Sequence, residues 1–278
     1  MMQGLRFRGL VNQPYFVTLA IMEEDVSLGT DVKGAFFLES AQALLRSGAS
    51  SDRIRTTIQR LSMGSGFTPH ISIMPLSISI SLHDQQGKIA YSGTASIPAQ
   101  GVNFSVVSGI SHLSWDIALG NQTLDQAKAE LSALQKLPHY NRWLLLVMVG
   151  LAGAGFCFTF GGTYVEMLVG FLATFIGLFC KQQMIQKTYN AYIITFVSSI
   201  VAGAIVGLAR ILLPEIPLEH AFSTCVLFLI PGVPLINSIT DLIEGYTLNG
   251  VARGVGAFIH AMAIAFGLVV DLFIFGII

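Results

Sequence analysis

Chemistry in this 278-residue chain concentrates where an apolar run meets two prolines and then a row of polar side chains, PGVPLINSITDLIEG at residues 231–245. Pro231 and Pro234 each remove a backbone donor, and Gly232 between them admits conformations other residues avoid. A helix should break there. In hydrocarbon the freed backbone groups need partners, so a broken helix survives where it is buried in protein or lines a polar cavity. The piece starting near Leu235 would aim its amides, the positive end of its dipole, at an anion, and the piece ending near Ile230 would offer carbonyls to a cation. Pro231, Gly232, Pro234 and Asn237 are therefore the expected solute-binding residues. Asp241 and Glu244, three apart on one helical face, with Arg253 and His260 farther on, are the candidates for gating or proton coupling. A plain proline kink satisfied by neighbouring helices is the competing reading of the same residues.

Composition fixes the setting. Charged residues are 11% of the chain and mean hydropathy is +0.68, against roughly 25% charged in a soluble domain, so the chain is an integral membrane protein. No basic run or patch supports nucleic-acid binding. Cys157, Cys180 and Cys225 lie in apolar segments without metal-ligand spacing, and no phosphate loop or nucleophile elbow occurs. The expectation is a non-enzyme with no cofactor and no metal.

Five segments are long enough to span about 30 Å of hydrocarbon, near 143–161, 163–180, 191–213, 221–239 and 253–277, the fourth broken at Pro231 and Pro234. Before them lies an α+β region. GAFFLESAQALLR (34–46) and residues 51–63 have helical spacing, and Gly48 suits a helix end. PHISIMPLSISISL (69–82) and KIAYSGTASI (88–97) alternate as a hairpin or two neighbouring strands. A helical period returns over 102–119, and Thr123 with Gln126 forms a capping box for a last helix. The organisation is thus a loosely ordered or peripheral start (1–30), a cytoplasmic α+β domain (31–140) and a transmembrane domain (141–278).

Lys136, Arg142, Lys181, Lys187 and Arg253 collect on one side of the membrane, and the opposite loops GGT and PEIPLEH hold no lysine or arginine. Positive charge marks the inner side, so the α+β domain faces the cytoplasm and Ile278 the far side. Glu166, Arg210 and Asp271 then fall near the outer boundary as an expected polar cluster, a gate or a clamp in which Arg210 pairs with an acid. Gly203 with Gly207 and Gly250 with Gly254 fit the small-xxx-small pattern of close helix approach.

With those residues in view, the chain resembles the threonine/serine exporter family of bacterial inner-membrane transport proteins. PGVPLINSITDLIEG followed by LNGVARGVGAF (248–258) is similar to that family's proline-glycine, asparagine, aspartate, glycine and arginine pattern, and SGASSDRIRTTIQRL (47–61) to its helix after a Gly-Ala pair. Arg55 departs from that helix's pattern, where an acid is expected. The resemblance runs from about residue 34 to the end. It implies a secondary exporter of small hydrophilic solutes, threonine and serine or a dicarboxylate such as succinate. It further implies the larger subunit of a split exporter, in an oligomeric complex with a small multi-span membrane protein. A structural membrane subunit that docks a separate transporter is the alternative, and an intramembrane enzyme using Asp241, Glu244 and His260 a third.

Overall fold

The computed structural model describes residues 14–63, 65–97, 101–136 and 140–276, with side chains from residue 29 onward. Contacts divide the chain into two compact units. One holds Met1–Leu137 with Ile243–Asn249, the other Pro138–Leu242 with Gly250–Ile278.

The first unit is a three-stranded antiparallel sheet covered by helices. Its elements are α1 (Pro14–Arg46), α2 (Ser51–Ser62), β1 (Thr68–Met74), β2 (Ser77–His83), β3 (Ile89–Ser96), α3 (Phe104–Ala118) and α4 (Leu124–Gln135). The strands lie in the order β1-β2-β3. Central β2 alternates strictly, so Ile78, Ile80 and Leu82 are buried against Phe36, Phe37, Leu44, Ile54, Ile58 and Ile110. Where α1 crosses β3, Gly34 and Gly93 leave room for the ring of Tyr91, which a Cβ at either position would strike.

Two sequence expectations change here. The helix foreseen from Gly34 starts at Pro14, a position where proline's missing N–H is an orphan anyway. Of the peripheral start expected over 1–30, residues 1–13 lie outside the described residues, and Pro14–Thr30 belong to α1. The stretch 69–82 forms two strands, because Pro75 cannot donate to a ladder and sits instead in the turn that pairs Met74 with Ser77. Gly48 takes φ +82° beyond α1, and Thr123 with Gln126 makes the full capping box of α4.

The second unit is helical: α5 (Arg142–Thr159), α6 (Tyr164–Gln186), α7 (Ala191–Leu212), α8 (Glu219–Thr224), a 3-10 turn (Leu227–Leu229), α9 (Gly232–Ile243) and most of α10 (Thr247–Phe275). Among the described residues four helices are long and apolar enough to cross a membrane, and the pair Glu219–Leu229 with Gly232–Ile243, bent by 62°, makes up to five. Helix α6 runs to Gln186, past the end expected at residue 180, so α5 is the shortest of the unbroken spans, at 18 residues.

Glycines set how closely these helices meet. A Cβ at Gly150 or Gly153 of α5 would run into Phe171 or Thr174 of α6. Gly203 and Gly207 of α7 face Asp271 and Phe275 of α10, and Gly250 and Gly254 of α10 face Leu242 and Ser238 of α9. Both small-xxx-small pairs are thus contact surfaces. The turn before α10 belongs to the first unit, where Asn249, 3% exposed, donates through Nδ2 to Ser51 Oγ and to the Ile73 carbonyl, each at 3.0 Å.

Replacing Gly250 by Ala puts a methyl 2.7 Å from Leu242 Cγ and 2.9 Å from the Ser238 carbonyl oxygen, an atom that cannot rotate away. The expected loss is about 1–3 kcal/mol. Gly256→Ala on the same helix meets only the Tyr192 hydroxyl at 3.8 Å and should instead gain about 0.5–1 kcal/mol of helix propensity. Thermal unfolding midpoints in detergent should therefore move in opposite directions. By the same measurement, Asn249→Ala deletes two buried hydrogen bonds and should cost about 1–3 kcal/mol.

Candidate functional site

The break in the fourth span is built by the residue types foreseen for it. Ile230 precedes a proline, which disfavours helical backbone, and takes φ −58°, ψ 126°. Upstream the chain tightens into the 3-10 turn, where the amides of Leu229 and Ile230 donate to the Val226 and Leu227 carbonyls at 2.9 and 3.2 Å. Downstream the Gly232 amide donates to Ile230 O at 2.9 Å and the Leu235 amide to Pro231 O at 3.1 Å. Pro234 has no amide to offer. The break therefore satisfies most of its own backbone donors, which leaves less amide charge for an anion than a bare helix start would present.

Side chains around the break supply the remaining polarity. Asn237 is half-buried on α9. Ser238, 6% exposed, donates to the Gly250 carbonyl at 2.7 Å, a contact that the missing side chain of Gly250 permits. One turn on, Asp241 is fully buried and its Oδ2 lies 3.1 Å from Arg253 Nη1, itself 19% exposed. Glu244 parts company with Asp241: it follows the last residue of α9 and is exposed. On the upstream side, Lys181 of α6 stands half-buried with Nζ 6.0 Å from the centroid of the Phe228 ring. Among the described residues no carboxylate pairs with it.

His260 sits on α10 with Nδ1 2.9 Å from Thr195 Oγ1 of α7 and its ring 4.7 Å from that of Tyr192. Farther along the same seam Ser199 Oγ donates to the Ile264 carbonyl at 2.9 Å.

The expected outer cluster of Glu166, Arg210 and Asp271 comes apart. Glu166 completes a capping box at the start of α6, accepting from the Thr163 amide at 2.8 Å. Its other oxygen accepts from the amide of His220 at 3.1 Å and meets His220 Nδ1 at 3.0 Å. His220 was not foreseen, since 54 residues separate the pair and no local pattern links them. Arg210 is exposed and lines a cavity of about 460 Å³ with Glu215, Glu219 and Phe222. Asp271 is buried against Gly203. Neither acid pairs with Arg210 among the described residues. Nor do three His, Cys, Asp or Glu side chains among those residues converge as a metal site.

Residues 35–275 match the family described as "Putative threonine/serine exporter". The chain is 29% identical over 244 residues to a protein of Klebsiella aerogenes named "Probable succinate transporter subunit YjjP", covering 86% of this chain and 93% of that one. It is 31% identical over 185 residues to the Escherichia coli K12 protein of the same name, covering 64% of this chain and 70% of that one. No solved structure matches the chain. A family match over most of the length, on a multi-pass helical unit with a broken fourth span, places this chain in the threonine/serine exporter family.

Proposed function

We propose that this chain is the larger subunit of a two-protein secondary exporter in a bacterial inner membrane, with its α+β unit cytoplasmic and its C-terminus on the far side. The cargo is a small carboxylate-bearing metabolite, and a dicarboxylate such as succinate fits better than threonine or serine. The solute site lies at the break, from Pro231 to Asn237.

The observation that carries the choice of cargo is Lys181. Its ammonium is half-buried beside Phe228, at the upstream edge of the break, and no carboxylate of the chain neutralises it among the described residues. A cation held so near hydrocarbon favours an anionic ligand. The break's own amides are mostly engaged, so one carboxylate would meet Lys181 while the other is oriented by Asn237 and the start of α9. Arg253 is less suited to the task because Asp241 already balances it. The names of the two relatives point to the same cargo and to a partner subunit.

The Asp241–Arg253 pair has a different role in this reading. It ties α9 to α10 just beyond the break, so separating the two charges would release the downstream half-helix. Such a pair serves as a gate that opens only when something compensates the buried carboxylate.

Efflux from membrane vesicles preloaded with labelled succinate, threonine or serine, with and without the partner subunit, tests the function. Succinate should move only with both proteins. Lys181→Gln should slow it by about 10- to 100-fold, the value of one charge-assisted contact, and Asn237→Ala by about tenfold. Unchanged succinate efflux in Lys181→Gln would remove the dicarboxylate argument, and selective efflux of threonine or serine would replace the cargo.

The pair is tested by stability. Asp241→Asn leaves the Arg253 guanidinium without its buried carboxylate and should destabilise the helical unit by about 3–5 kcal/mol. The double variant Asp241→Asn with Arg253→Gln should recover most of that in thermal unfolding while efflux stays impaired.

A further inference from the structure

Helices α7 and α10 meet along one seam, and its polar groups follow the helical repeat. On α10 the positions are His260, Ile264, Gly267 and Asp271, spaced four, three and four apart and therefore on one face. On α7 they meet Thr195, Ser199 and Gly203, each four residues from the next. His260 is bonded to Thr195 at 2.9 Å, and Ser199 to the Ile264 carbonyl at 2.9 Å. Asp271 is the exception on this seam. It is 0% exposed, and neither carboxyl oxygen has a hydrogen-bond partner among the described residues.

The surroundings leave that carboxyl no means of holding charge. From α7 it faces Gly203, where even a Cβ would collide with Oδ2. Near the end of α8 the Cys225 thiol also lies within electrostatic reach, itself buried and directed to the Phe222 carbonyl at 3.2 Å. Glu166 is engaged with Thr163 and His220, Arg210 opens into its cavity, and His260 is eleven residues away, about 16 Å along the helix. An ionised carboxylate without donors or a counter-charge is among the most costly groups to bury, and a protonated one is far cheaper.

We infer that Asp271 is a proton-binding site that couples this protein's transport to a proton gradient. The inference rests on the export reading above. While the α7–α10 seam is closed as here, the carboxyl carries its proton. When the seam parts and water reaches Asp271, the O–H bond breaks, the proton passes to water, and the carboxylate remains. An ionised Asp271 cannot return to the closed seam, so reclosure requires a proton, and the cycle is coupled because the proton lost to water on one side of the membrane is replaced from the other. That condition ties one proton to each opening and closing. Gly203 is what lets the neutral carboxyl lie flat against α7.

Asp271→Asn keeps the shape of the neutral acid and removes the ionisation, so it separates the two steps. With the partner subunit in proteoliposomes, exchange of labelled against unlabelled succinate needs no net proton movement and should stay near wild type in the variant. Net efflux driven by a pH gradient should fall about tenfold or more. Loss of both activities, or retention of both, would overturn the coupling role. Infrared spectra of the full chain in lipid decide the protonation state without any transport. The wild type at neutral pH should show the C=O stretch of a protonated carboxyl that Asp271→Asn lacks, and identical spectra would overturn the proposal. A variant that fails to insert also counts against it, because an amide should fit wherever a neutral carboxyl does. If the wild type moves no solute but the Asp271 band is present, the export reading fails while the proton site stands.

Discussion

Inside a bilayer no water is at hand for an orphaned backbone group, and two prolines within four residues of a span create several such orphans. The helical unit is arranged around that difficulty. Pro231 forces Ile230 out of helical backbone, and the chain responds on both sides, with a 3-10 turn before the break and short carbonyl contacts to Gly232 and Leu235 after it. The 62° bend is the geometric result. A break that satisfies most of its own donors is stable enough to persist, and what it lacks is charge. The polar character of the region therefore comes from side chains that other helices bring to it, Lys181 from α6 and Arg253 from α10. This is why the same prolines need not act as the dipole-lined anion site that a simple half-helix would make.

Close approach is the second requirement. Without a hydrophobic drive between helices, association depends on contact and hydrogen bonding, and both improve when backbones draw near. Gly250 lets Ser238 reach a main-chain carbonyl, Gly203 admits a carboxyl, and Gly267 brings Ser199 alongside α10. In each case the glycine is opposite a polar side chain. Small residues in this protein do more than fit helices together: they create the pockets in which polar groups are buried.

How much of this could be read in the sequence depended on the range of the interaction. The broken span, the α5–α6 hairpin, the capping box of α4 and the Gly48 turn rest on neighbouring residues, and local pattern revealed them. Pro75 carried the signal for a third strand, but the alternation of Ile and Ser on either side read as continuous. Helix α1 was foreseen only from Gly34, because Glu23, Glu24, Asp25 and Gly29 interrupt the apolar period before it. Polar partners across helices were the least legible. Proximity to the outer boundary suggested that Glu166, Arg210 and Asp271 would meet, yet depth along a helix says nothing of the face a residue occupies. Glu166 turned to His220, which lies 54 positions away, and Asp271 turned to a glycine.

Two of the buried carboxylates of the helical unit, Asp241 and Asp271, illustrate alternative answers to one cost. Asp241 is accommodated by a guanidinium at 3.1 Å, so its burial draws α9 and α10 together and depends on that partner staying in place. Asp271 has no such partner among the described residues, and in the proposed reading a bound proton is what makes its burial tolerable. An ion pair holds a helix contact at any pH at which both groups are charged. A protonated acid holds one only while its proton remains. A helix bundle that must alternate between closed and open forms needs both kinds of contact, one that keeps the halves of a broken span in register and one that can be undone and remade from water. In the proposed reading the α9–α10 contact would be the mechanical link and the α7–α10 seam the place where a proton gradient would act on it, with α10 common to both.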